Sequence, residues 1–158
     1  MKTFWIQVIL LIIAVLGSMW YLFNESQLVG LSNSSSTPKQ VKINNTVINI
    51  EVANSKDERA KGLSGRDSLS VDSGMLFLFE KYGKYRFWMK DVKFPLDLIF
   101  IKDETIVDIL ENVPTVSENE ASIPIYEPVG EVDKVLEVNA GFARPKNIKP
   151  GDVIELIY

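Results

Sequence analysis

The chain has 158 residues, of which 46% are apolar and 24% charged, with a formal net charge of −4. It contains no cysteine and no histidine. That excludes thiol nucleophiles, disulfides, thiolate zinc sites, imidazole bases and haem ligation by histidine.

The first element is Phe4–Phe23, twenty uncharged residues of which seventeen are apolar. At about 1.5 Å per residue a helix of this length spans about 30 Å, the thickness of a hydrocarbon core. Trp5, Trp20 and Tyr21 stand near its ends, where amphipathic rings favour the interface. Lys2 precedes it and no cation follows until Lys39, so the charge asymmetry predicts a cytoplasmic N-terminus. Residues 1–23 are therefore expected to be a single-pass anchor in the cell membrane, with the lipid bilayer as partner through residues 4–23 and the remainder of the chain outside. A cleaved signal peptide is the competing expectation. Val15 and Gly17 would offer only a weak cleavage site, and apolar residues continue to Phe23, long for a signal core.

Residues 24–40 read as a polar linker, because Asn33–Pro38 has little apolar content to offset the cost of ordering. Three N-glycosylation triplets begin at Asn24, Asn33 and Asn44, a pattern common by chance.

From Val41 the hydrophobic period is two. Val41 and Ile43, then Ile48, Ile50 and Val52, alternate with polar residues around an Asn44-Asn45 turn. Ser55 with Glu58 three residues on is a capping box opening a short helix, and Gly62 is placed to stop it. Met75–Phe79 has the composition of a buried strand, and Tyr85–Met89 reads as the next. Phe94–Ile101 and Thr105–Leu110 flank an Asp103-Glu104 hairpin turn. Residues 115–129 form a polar loop, and Val132–Val138 is a strand. Gly141–Lys149 has room for a helical turn, and Val153–Tyr158 is the last strand. The 41–158 segment is thus predicted to be a mainly β domain with one or two short helices. Short, closely spaced strands favour a small antiparallel β-barrel or sandwich over a βαβ fold.

Charge is uneven. Residues 56–93 hold nine cations and six anions, whereas 97–137 hold two cations and eleven anions, which argues against nucleic acid as a partner of the second half. No EF-hand or phosphate-binding spacing is present, so no metal or cofactor is expected.

Within Arg86-Phe87-Trp88-Met89-Lys90, strand alternation places Trp88 between two cations. That face could stack a flat ligand, or Arg86 and Lys90 could simply lie over the ring. Asp97 and Glu137 sit in otherwise apolar strands. Two carboxyls about 5–10 Å apart would permit acid–base glycoside chemistry. Alternatively Asp97 needs a partner, and Arg59, on the short capped helix, and Arg66, just after it, are the expected guanidinium partners. The ligand-binding candidates are Arg59, Arg66, Trp88, Lys90, Asp97 and Glu137, with no catalytic residue assigned.

Six blocks run in order: Arg59–Leu63, Gly74–Phe79, Phe87–Lys90, Pro95–Ile101, Val135–Gly141 and Ile148–Asp152. In these the segment 41–158 resembles the domain of unknown function 192 family. The resemblance implies a small secreted or membrane-anchored domain rich in β structure, without an established activity. Ser64 and the Asp91-Val92 pair depart from the family's usual Gly-Leu-Met and Asn-Thr. The expected function is that of a non-catalytic ligand- or protein-binding module of the cell envelope. The alternative is a carboxylate-based hydrolase acting on an envelope glycan.

Overall fold

A computed structural model of the protein describes residues 15–20, 37–117 and 122–158. The chain divides into two compact units, 1–36 and 37–158. In the first, residues 15–20 are helical and exposed, and the rest of the expected anchor lies outside the described residues. Among the described residues no helix is long and apolar enough to cross a membrane.

The second unit is one curled seven-stranded sheet, in the order β5-β4-β6-β3-β2-β1-β7. The strands are β1 (Gln40–Ile43), β2 (Thr46–Ala53), β3 (Ser73–Gly83), β4 (Leu96–Lys102), β5 (Thr105–Val113), β6 (Val132–Asn139) and β7 (Ile154–Ile157). Helix α1 (Lys56–Lys61) and a 3-10 turn at Arg144–Lys146 complete it. The result is mainly β with few short helices, a half-barrel rather than a closed barrel or a two-sheet sandwich. Its edge strands meet only at one end, through a bridge between Thr105 and Val153. There the Ile106 N–H donates to Asp152 O at 2.9 Å and the Ile154 N–H to Glu104 O at 2.7 Å.

Turn chemistry sets the two hairpins. Asn44 and Asp103, which join β1 to β2 and β4 to β5, both take positive φ (53° and 56°), tolerated best by Asn, Asp and Gly. The expected all-antiparallel sheet is corrected at one position: β2 and β3 are parallel, with Asn49 opposite Ser73 through Ala53 opposite Phe77. Parallel neighbours need a crossover, and residues 54–72, which contain α1, supply it. The capping box is formed, with Glu58 N–H donating to the Ser55 side chain and Ser55 N–H to the Glu58 carboxylate at 2.9 Å. Gly62 ends the helix at φ 47°.

A second correction concerns 85–89. Only Phe87 pairs, in an isolated bridge with Tyr126, so no strand forms there. The expected alternation nonetheless holds: Met89 is buried and Phe87 half-buried, while Arg86, Trp88 and Lys90 are exposed. The segment covers a sheet face instead of extending the sheet.

Apolar residues pack on both faces. One cluster joins Val41, Ile43, Leu76, Ile99, Ile101, Leu136 and Val138 to Phe142, Ala143 and Ile148 of the turn after β6. The other joins Met75, Phe77, Leu96, Leu98, Phe100 and Val135 to Leu63, Met89 and Val92 of the covering loops. The central strands β3, β4 and β6 are therefore buried on both sides, which explains their near-continuous apolar sequences.

Gly74 shows how tightly β3 and β6 approach. A Cβ there would stand 2.8 Å from Glu137 backbone O and 3.0 Å from Leu136 Cδ1. Gly74→Ala is expected to destabilise the domain by about 1–3 kcal/mol, because the obstacle is backbone in a packed sheet. Urea unfolding that shows no loss would refute this.

Candidate functional site

The sheet face covered by α1 and residues 84–92 holds a cleft of about 210 Å³. Its walls include Phe77 and Phe79 of β3, Tyr85, Phe87 and Trp88 of the covering segment, and Leu63 beyond α1. The Phe79 and Tyr85 rings stack with centroids 3.5 Å apart and planes 10° from parallel. Phe87 meets Phe77 edge-on at 5.2 Å.

Four cations line the cleft: Lys56, Arg59 and Lys61 from α1, and Arg86. Arg59 is held in place. Its guanidinium donates to the backbone carbonyls of Asn54 and Leu78, the latter at 2.9 Å, and lies 5.1 Å from the Phe79 ring centroid. It thereby ties the helix to the end of β3. Among the described residues no carboxylate pairs with Lys56, Lys61 or Arg86.

Glu137 also lines this cleft. It stands opposite Met75 on β3 and Leu98 on β4, on the apolar face shared with Val135. The residue is 6% exposed, and among the described residues its carboxyl meets neither a hydrogen-bond donor nor a cation. Burial disfavours the charged form, and without a compensating partner it pushes the Glu137 carboxyl up to about 8. At neutral pH the group is mainly a carboxylic acid, with an O–H to donate.

The sequence candidates therefore separate. Arg59, Trp88 and Glu137 come together in the cleft. Arg66 does not line this cleft and forms a two-point pair with Glu51, at 2.5 and 2.7 Å. That pair holds the Glu51 carboxyl below the usual range. Lys90 lies in a second opening of about 530 Å³, with Asp91, Lys93, Thr115 and Ile123 among its lining residues. Neither Arg86 nor Lys90 lies over the Trp88 ring, which is 49% exposed.

Asp97 is fully buried, as an acid on an apolar face requires a reason to be. The expected arginine partner is replaced by backbone. Its carboxylate accepts from the N–H groups of Asn112 at 2.8 Å, Gly141 at 3.1 Å and Ala143 at 3.0 Å. These amides are free to point inward because Asn112 and Gly141 take positive φ (56° and 74°), at a β5 irregularity and in the turn after β6. Asp97 is thus a staple joining β4, β5 and that turn.

The two acids do not form a catalytic pair. Asp97 is opposite Val138, and Leu98 is opposite Glu137, so neighbouring positions on β4 put Asp97 and Glu137 on opposite sheet faces. Sequence reasoning also missed Lys56, Lys61 and Tyr85 as cleft residues. For Lys61 the signal available was the basic last turn of a helix that a short crossover must lay against the sheet.

The family model of DUF192, described as an uncharacterized ACR, matches residues 39–156, and the chain belongs to this domain of unknown function 192 family. No curated protein matches it. Two solved crystal structures resemble it, each with a TM-score of 0.68 and 32% identity. One, from Sinorhizobium meliloti, is described as a candidate transcription regulator; the match covers 79% of this chain and 98% of that one. The other, from Novosphingobium aromaticivorans, is a protein of unknown function; the match covers 78% and 89%.

Proposed function

We propose that the 37–158 unit is a non-catalytic ligand-binding module of the cell envelope, that the cleft beside α1 is its site, and that Phe4–Phe23 anchors it in the membrane with the domain outside. The observation that carries the binding role is Glu137. A largely buried acid on an apolar face, with no partner among the described residues, is costly to keep unless something else uses it. Fixed Arg59 and the stacked Phe79–Tyr85 pair give that acid a rigid, partly apolar surround of the kind small ligands occupy. The separation of Asp97 from Glu137 leaves a two-carboxylate hydrolase without its second acid.

The test is a ligand-observed NMR screen of small polar and aromatic compounds against the full chain. Ala60 is exposed on the cleft wall. Ala60→Trp should abolish the binding of cleft ligands while leaving the fold intact. If no compound binds, or if every compound binds Ala60→Trp equally well, the cleft is not the site.

The anchor rests on the uncharged run and on Lys2. Protease added outside intact cells or spheroplasts should remove the domain. Full protection of the domain, with a cytoplasmic control protected alongside it, would overturn the orientation.

A further inference from the structure

Given that the cleft is the ligand site, its walls also restrict what enters. Lys56, Lys61 and Arg86 stand at its exposed edge without carboxylate partners among the described residues, and a cationic ligand would have to pass them. The walls beyond are aromatic and flat, with Phe79 and Tyr85 stacked and Phe87 edge-on to Phe77. Among the described residues, Glu137 is the buried polar side chain that lines it, more than nine-tenths buried and without a partner. At about 210 Å³ the space falls below the roughly 300–1,000 Å³ of sites for drug-sized molecules, so the occupant is about the size of a single ring.

The geometry points to a small aromatic carboxylate that bears a neutral hydroxyl or carbonyl group on the far side of its ring. The acid group stays at the mouth with Lys56, Lys61 and Arg86, the ring lies among the aromatic walls, and the far polar group meets Glu137. The reverse orientation would bury the ligand's charge in the apolar end of the cleft, which costs far more than leaving it at the wet, cationic edge. Glu137 is the residue that selects the far group, because a ligand without one gives the acid no hydrogen-bond partner.

Burial keeps this carboxyl protonated at neutral pH, with its titration raised to about 8. The charged or titratable groups that face the cleft with it are Lys56, Arg59 and Lys61 from α1 and Tyr85 and Arg86 from the segment after β3. The β3 and β4 residues packed on the same face, Met75, Phe77, Leu98 and Phe100, are uncharged. Binding of an anion should therefore weaken as pH rises through about 8, when Glu137 gains a negative charge.

The test is calorimetric titration of the full chain with para-hydroxybenzoate, benzoate, para-hydroxybenzyl alcohol and para-hydroxybenzylamine. At pH 7 para-hydroxybenzoate should bind best. Benzoate, lacking the far group, and the alcohol, lacking the charge, should each bind about tenfold more weakly or worse. Lys56→Glu with Lys61→Glu should cut the affinity for para-hydroxybenzoate about tenfold and leave the alcohol unchanged. Glu137→Gln keeps the shape and an N–H donor. It should retain binding at pH 7 and lose the pH step seen in the wild type, which also controls for titration of the ligand's own hydroxyl. Tighter binding of the amine, equal binding of benzoate, or identical pH profiles for wild type and Glu137→Gln would each overturn the proposal. If the carboxylates fail to bind while other compounds bind and are blocked by Ala60→Trp, this ligand class is wrong and the cleft assignment stands. If nothing responds to Ala60→Trp, both fall.

Discussion

Asp97→Ala should lower the stability of the domain by about 3–5 kcal/mol, because each buried N–H left without an acceptor costs about 1–3 kcal/mol. Three lose their acceptor at once: that of Ala143 in a buried bond and those of Asn112 and Gly141 in part-buried ones. The loss is concentrated where β4, the irregular end of β5 and the turn after β6 meet, so that turn should open first. Hydrogen exchange should show lost protection at those three amides before the rest of the sheet. Asp97→Asn should cost less, since one side-chain oxygen still accepts while the amide nitrogen adds a donor with nowhere to point. Arg66→Ala separates this account from an acid–arginine pair. Arg66 serves Glu51 at a largely exposed site, so its removal should cost less than about 1 kcal/mol. Urea unfolding of the three variants decides the matter: equal losses for Arg66→Ala and Asp97→Ala would contradict the backbone staple.

Glu137 should behave in the opposite way. Its carboxyl titrates near 8 in the folded protein, against 4.5 for the free side chain. The sign follows from proton counting. Between these two values the unfolded chain has released a proton that the folded chain still holds, so rising pH favours unfolding. The contribution is neutral below about pH 4.5, grows more unfavourable through pH 7 and levels off above about pH 8. Replacing Glu137 with Met, of similar length and uncharged, should therefore stabilise the protein by about 2–3 kcal/mol at pH 7. The gain should shrink towards zero near pH 4. The same change should weaken para-hydroxybenzoate binding about tenfold or more, which is the expected cost of an acid kept for use rather than for stability. Denaturant midpoints for wild type and Glu137→Met across pH 4–9 would test this. A gain that is absent at pH 7, or that is the same at pH 4 and pH 8, would show that Glu137 is not the uncompensated acid described here.

Most of the local structure follows from short-range chemistry, which is why it was legible residue by residue. The Ser55–Glu58 capping box, the Gly62 stop and the Asn44 and Asp103 turns each depend on groups a few residues apart. The alternation in 85–89 also correctly named the inward residues, although it could not say that no strand would lie beside them. Strand pairing was not legible in the same way. A buried strand reads as apolar whether its neighbour runs parallel or antiparallel, so the β2–β3 pair and the half-barrel order were decided by how the 54–72 crossover packs.

The candidate site divides along the same line. The sequence by itself determined that Asp97 and Glu137 are acids in apolar strands, that the 56–93 stretch is basic and that Trp88 stands between cations. Only the tertiary structure decided what those acids meet. Antiparallel register between β4 and β6 offsets them by one position, and a period of two then turns one position into opposite faces. On one face Asp97 finds three amides freed by positive-φ turns that are distant in sequence. On the other, Glu137 finds apolar neighbours and an opening lined by cations from α1 and Arg86. Nothing within a few residues of either acid encodes that difference, because both environments are built by chain segments that meet only when the sheet curls.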